Sequence, residues 1–293
     1  MDRSEIARYQ NIQLSLLKYF DMVCKNNSWN YYMVFGTLLG AVRHKGFIPW
    51  DADIDVAMMR SDYEAFIDYY INNAHPDLFL ECWKTDPAHL SPHAILRIKD
   101  SHVYYNIKSS SRYAQKYDGI YIDIFPIDAI TENNKLLKKQ LSQIRTIQRI
   151  ISLKAAPIYE GTSDLSRVCK KIVSYILTPV SFRFLHRCED AIMKKNNNKG
   201  YTSVSMLTNP EIQKEKEIYP VSCFGNPTLL AFEDEYFFAP SNYIQFVEIR
   251  YKDYMKLPPE NERWGYLDKI VRKIDYGNSE NLIQKCIESV TKK

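Results

Sequence analysis

Apolar residues Ile6, Ile12, Leu16, Phe20 and Val23 recur at helical spacing, and an Asn-Asn-Ser run follows, so the chain opens with an amphipathic helix over residues 4–26. "YYMVF" (31–35) is a short apolar run that reads as a strand entering a turn at Gly36, with a short helix over Thr37–Val42. "DIDVAMM" (53–59) alternates charged and apolar residues and reads as the second strand. Ser61 and Glu64 match a capping box, which predicts a helix over 62–73. "HAILRIKD" and "VYYNI" read as a strand pair joined around Ser101, and "GIYIDIFPID" (119–128) as a further strand ended by Pro126. From 131 to 199 the pattern is helical and basic, broken at Pro157 and Pro179 and closed by "KKNNNKG". The last third reads as short strands ("YTSVSM", "TLLAFEDEYFFAP"), a helix from Ser241 to Met255, a turn at "LPPENERW" and a closing helix. The predicted class is a mixed α/β (α+β) sheet flanked by helices, divided as a core (1–130), a basic helical segment (131–200) and a C-terminal α+β portion (201–293).

Composition narrows the function classes. With 293 residues, 45% hydrophobic and 25% charged, the chain can bury a full core without disulfide or metal staples. A net charge of +4, spread without a long basic run, argues against nucleic acid as a partner. Six scattered cysteines and an N-terminus lacking an apolar leader lead us to expect a cytoplasmic protein. The stretch "KKIVSYILTPVSFRFLHR" (170–187) is apolar, aromatic and flanked by cations. It reads either as two packed helices joined at Pro179 or as a peripheral contact with an anionic membrane at its inner face.

The candidate chemistry lies in "VFGTLLGAVRHKGFIPWDADID" (34–55). On a strand, Asp51, Asp53 and Asp55 share one face while Ala52, Ile54 and Val56 share the other. Like charges at that spacing repel unless a cation compensates them, and hard oxygen ligands suit Mg²⁺. A solvated acidic strand end is the bland alternative for such a motif alone. Asp123, set between Ile122 and Ile124, offers a further carboxylate from a second strand. Gly36 and Thr37 open a turn into a helix, where free N–H groups favour a phosphate. Arg43 and Lys45 are candidates to neutralise one, and Trp50 to stack on a base or a quaternary ammonium, although a core role competes for Trp50. His44 is not assigned to catalysis. His89 and His93 have the spacing of a helical zinc pair, but Pro92 between them argues against it, and Asp128 reads as a turn or cap residue.

Those residues carry a resemblance. "GTLLGAVRHKGFIPWDADID", "DYEAF", "GIYIDIFPID" and "FEDEYFFAPSNYIQFVEIRYKDYMKLPPENER" together resemble the LicD family, relatives of the nucleotidyltransferases that include bacterial phosphorylcholine transferases and fukutin-type ribitol-phosphate transferases. The resemblance covers about 1–130 and 228–264. It implies a nucleotidyltransferase-like core and a metal-dependent phosphotransferase. The implied donor is a CDP-activated alcohol, CDP-choline favoured, and the implied acceptor a hydroxyl on a lipid-linked bacterial surface glycan, with CMP released. It implies two Mg²⁺ (or Mn²⁺) ions held by Asp53, Asp55 and Asp123 with Asp51 beside them, and Asp123 either completing the second site or taking the hydroxyl proton. CDP-glycerol or CDP-ribitol as donor, a nucleotidyltransferase acting on a small molecule, and an inactive glycan-binding relative are the alternatives. Two positions depart from the family pattern: Ala52 stands where Asp is usual, on the face away from the carboxylates, and Lys252 stands where glycine is frequent, which puts the local turn in question.

Overall fold

The strand that carries Asp123 is the spine of the main sheet. The computed structural model describes residues 3–87, 89–105, 117–155, 163–208, 217–263 and 271–291. Helix α1 (Arg3–Asn26) leads into strand β1 (Tyr32–Met33), helix α2 (Phe35–His44), strand β2 (Asp55–Met59) and helix α3 (Arg60–Asn72). Strands β3 (Leu78–Glu81), β4 (Ala94–Ile98), β5 (His102–Tyr105) and β6 (Tyr121–Ile130) follow. Helices α4 (Asn134–Ala155), α5 (Asp164–Ile176) and α6 (Phe182–Lys194) make up the middle of the chain. Beyond them come β7 (Ser203–Ser205), β8 (Tyr219–Pro220), the β9–β10 hairpin (Thr228–Phe232, Glu235–Ala239), α7 (Tyr243–Tyr251), α8 (Glu260–Arg263), β11 (Val271–Asp275) and α9 (Ser279–Thr291).

The sheet is mixed, as the α/β reading requires. Its order is β1-β2-β6-β4-β3, with β7 also on β6 and β8 on β7. Only β2 and β6 run parallel within that order, with Asp55 opposite Asp123 and Met59 opposite Ile127. A parallel neighbour demands a long crossover, which α3 and the β3–β5 region supply. The spine strand buries apolar side chains on both faces, Ile122 and Ile124 on one and Phe125 and Ile127 on the other, and Gln13 of α1 donates to the Tyr121 carbonyl at 3.0 Å. The main core draws on both ends of the chain, from Leu16 and Phe20 of α1 to Phe246 of α7 and Cys286 of α9. Helices α4 and α6 keep two small clusters of their own, one around Leu141 and Met193 and one around Ile151 and Leu185.

Several local expectations change. Strand β6 runs through Pro126 to Ile130 rather than stopping there. The Asp123 N–H donates to the carbonyl of Ile54, just before β2, at 2.9 Å, so by alternation the position of the missing Pro126 N–H faces the opposite edge. On that edge pairing with β4 has ended at Ile124, and no donor is required. Helix α3 begins at Arg60 directly from β2 with Met59 at the cap position and Ser61 already in the first turn, so no side chain caps it, and Glu64 accepts from Lys194 at 2.8 Å. Strands β4 and β5 do not pair with each other; β4 lies between β6 and β3, while β5 pairs with β11. Asp128 is neither turn nor cap: fully buried on β6, it receives the Arg60 guanidinium and, at 2.8 Å, the Asn197 amide. The break at Pro179 separates α5 from α6, whereas Pro157 lies outside the described residues. The closing helix is preceded by β11, and Trp264 of the "LPPENERW" turn is outside the described residues.

Candidate active site

Strand pairing brings the carboxylates together. Asp55 is the first residue of β2 and stands opposite Asp123 on β6; Asp51 and Asp53 approach on the extended segment just before the strand rather than within it. Two side chains hold that segment in place. Thr37, buried in α2, accepts the Asp55 N–H at 2.8 Å through its hydroxyl oxygen, and Gln10 of α1 donates to the Asp51 carbonyl at 2.6 Å. The Val34 N–H donates to the Asp55 carbonyl at 3.1 Å.

Gly36 sits against the cluster. A Cβ there would lie 2.6 Å from Asp51 Oδ2. The chain reaches this approach through Phe35, a buried non-glycine residue at φ 49°, the kind of backbone strain that surrounding structure must enforce. Phe35 is pinned edge-on by Phe125 of β6, with centroids 5.2 Å apart, and by the Arg250 guanidinium 4.4 Å from its ring centre. Gly36 and Thr37 lie in the first turn of α2, where backbone N–H groups have no intrahelical acceptor.

The electrostatics are those of an anionic cluster short of cations. Burial raises the Asp51 carboxyl, offset in part by the backbone N–H groups of Ala52 and Asp53. Asp53 is exposed, and its carboxyl is pushed up to about 7, by lost hydration and then by the neighbouring charges of Asp51 and Asp123. Asp55 is raised, by burial first and then by the charges of Asp123, Asp53 and Asp51, with Arg250 pulling the other way. Among the described residues no salt bridge reaches the carboxylates of Asp53 or Asp55. Convergent, poorly hydrated oxygen ligands of one sign fit a hard divalent cation, which would remove both the repulsion and the hydration deficit.

Other residues gather around this centre. His93 Nε2 lies 3.1 Å from Asp123 Oδ1, its ring tilted over Phe125 at 4.3 Å, while its Nδ1 is buried without a hydrogen bond. His89 turns elsewhere, held by Glu81 Oε1 at 2.6 Å and the His93 carbonyl at 2.8 Å, so the two histidines share no metal. Arg43 Nε is 2.9 Å from His44 Nε2, and its Nη1 donates to the Tyr254 carbonyl at 3.2 Å. Lys45, exposed and at φ 60°, ends α2. Trp50 is half-buried between the His44 ring, 6.1 Å away, and the Arg263 guanidinium, 5.6 Å from its ring centre. Tyr251, held up to about 12 by burial, feels the charges of Asp55 and Asp51 and so lies beside them.

The sequence reading weighed His93 only as half of a zinc pair and missed Arg250 altogether. Neither sits in a motif with the aspartates; each arrives through the fold, His93 just before β4 and Arg250 on α7. A separate group, His75, Asp77 and Cys286, brings three possible metal-ligand atoms within 4.8 Å of one another, with His75 Nδ1 at 3.2 Å from Cys286 Sγ. A cleft of about 370 Å³ between α3 and α6, lined by Arg60, Trp83, Lys84 and Arg187 among others, includes none of the four aspartates.

Comparison with known proteins agrees with this geometry. Residues 28–150 match the family model described as LicD/FKTN/FKRP, nucleotidyltransferase domain, a span that holds all four aspartates. The chain is 25% identical over 264 residues to the lipopolysaccharide cholinephosphotransferase LicD of Haemophilus influenzae, an alignment covering 90% of this chain and 96% of that protein. An uncharacterized protein of Rickettsia prowazekii is 50% identical over 42 residues, 14% of this chain and 15% of that one. The matched domain coincides with the carboxylate site and the relative aligns along nearly its whole length, so residues 28–150 of this chain are similar to the LicD-type nucleotidyltransferase domain.

Proposed function

We propose that this chain transfers phosphocholine from CDP-choline to a hydroxyl of a lipid-linked bacterial cell-surface glycan and releases CMP. The observation that carries the reading is the pairing of Asp55 with Asp123 across parallel strands, with Asp53 and Asp51 crowding the same point. The 25% identity to a lipopolysaccharide cholinephosphotransferase supports choline over other alcohols.

Asp53, Asp55 and Asp123 would hold Mg²⁺, two ions in this reading, with Asp51 as an adjoining ligand. The bound metal supplies charge neutralisation for the diphosphate and the in-line displacement. The glycan oxygen attacks the phosphorus that bears choline, the bond from that phosphorus to the CMP oxygen breaks, and CMP leaves with the bonding pair. Asp123, oriented by His93, takes the hydroxyl proton. Thr37 and Gln10 keep the aspartate-bearing segment at the β2 mouth, so the carboxylates need little reorganisation when charge develops. The N–H groups of Gly36 and Thr37 and the side chains of Arg43 and Lys45 take the donor phosphates, and Trp50 takes the base or the trimethylammonium group.

Thermal-shift titration with Mg²⁺ and each of CDP-choline, CDP-glycerol, CDP-ribitol and ATP tests the donor, since a bound ligand raises the melting temperature by mass action. CDP-choline should give the largest Mg²⁺-dependent shift, and CMP should appear on addition of acceptor. A shift with ATP alone would replace this reading with nucleotidyl transfer to a small molecule.

A further inference from the structure

Helix α5 turns its apolar side to solvent. Leu165, Val168, Ile172 and Ile176 fall on one helical stripe and are 77%, 54%, 53% and 70% exposed, whereas the buried residue of the helix is Ser174. The polar side is what the protein holds. Ser174 Oγ donates to the Lys154 carbonyl at 2.6 Å, and Lys154 Nζ donates to the carbonyls of Leu177 and Thr178 at 3.0 and 3.2 Å, satisfying the C-terminal end of α5. Phe184, in the first turn of α6, is 60% exposed as well. A soluble surface helix has the opposite orientation.

The charge pattern says what covers this face. Residues 163–187 contain five Lys and Arg (Arg167, Lys170, Lys171, Arg183, Arg187) and a single acidic residue, Asp164. A second copy of this chain packed face to face would bring those cations against their own kind. A bilayer with anionic headgroups accepts both parts, the stripe among acyl chains and the cations at the phosphates. We propose that α5, with Phe184 as a second anchor, seats the protein on an anionic phospholipid surface. The inference stands independently of the transfer chemistry, although a surface-bound enzyme would meet a lipid-linked acceptor there.

Co-sedimentation of the full chain with vesicles of phosphatidylglycerol and phosphatidylcholine, against pure phosphatidylcholine, tests it. The protein should pellet with the anionic vesicles at least tenfold more than with the neutral ones, and less as salt rises. The double variant Ile172→Glu/Ile176→Glu should lose binding at least tenfold with unchanged circular dichroism and melting temperature, as both positions are exposed. Lys171→Glu/Arg183→Glu, which leaves the stripe intact, should weaken binding to anionic vesicles several-fold. Wild-type protein that stays in the supernatant, or an Ile172/Ile176 variant that pellets like wild type, would overturn the proposal. So would a dimer by light scattering that dissociates in that variant with no vesicle binding. Transfer to a soluble acceptor reports on the chemistry separately.

Discussion

Asp55 and Asp123 face each other across a parallel pairing of the main sheet, two carboxylates on strands about 4.8 Å apart with no salt bridge to Asp55 among the described residues. Such an arrangement works against folding in the absence of a cation, so function and stability should respond in opposite directions. Asp55→Asn should lower transfer about 10²-fold or more. In chelator the same variant should melt no lower than wild type. The pH dependence has a defined sign: Asp53 is lifted from 3.8 to about 7, so the native state binds more protons than the unfolded chain between those values. Stability in chelator should therefore fall as pH rises from about 4 to about 7, and saturating Mg²⁺ should flatten that slope. Melting curves across pH, with and without Mg²⁺, measure both; a slope indifferent to Mg²⁺ would sink the metal assignment.

Gly36 and Gly40 are both glycines of α2, yet they should fail differently. A Cβ at Gly36 meets the movable carboxylate of Asp51 at 2.6 Å, whereas at Gly40 it meets the backbone carbonyl of Gly46 at 2.4 Å. Gly36→Ala should fold with near-native stability and lose about 10²-fold in activity through displacement of Asp51. Gly40→Ala should cost about 1–3 kcal/mol, because backbone cannot step aside. Denaturant titration beside initial rates separates the two.

Glu81 shows the reverse electrostatics. Burial would raise its carboxyl, but His89 and Arg97 prevail and hold it at about 2 against an ordinary 4.5. Its contribution is complete above about 4.5 and is lost as pH falls toward about 2. Glu81→Gln should cost about 3–5 kcal/mol at neutral pH, because it removes the buried carboxylate that Arg97 and His89 face, and should make the acid limb of the stability profile shallower. Urea denaturation from pH 2 to 7 would show this; an unchanged acid limb would count against it.

Lys252, at a position where the family resemblance implies glycine, ends α7 at φ 56° and donates its N–H to the Glu248 carbonyl at 2.9 Å. The turn survives the replacement, with backbone strain. Lys252→Gly should therefore stabilise the protein by about 1 kcal/mol, with a matching rise in melting temperature and no loss of activity. A drop in stability would mean that the lysine side chain makes a contribution greater than the strain.

The periodicities that depend on near neighbours were legible in the chain. The opening helix, the Asp123 strand, the strand character of 228–239 and the alternation of Asp51, Asp53 and Asp55 all follow from side-chain direction along a local backbone, and the family resemblance rests on the same stretches. What stayed hidden depends on which distant segment arrives beside which. Nothing near Asp128 in the sequence points to Arg60, nothing near Asp123 points to His93, and Pro126 looks like a stop until the edge beside it is seen to need no donor. The amphipathic pattern of α5 was visible too, but a periodicity carries no sign. Which side of that helix meets the protein was decided by Lys154 and Ser174, through hydrogen bonds between segments that only folding brings together.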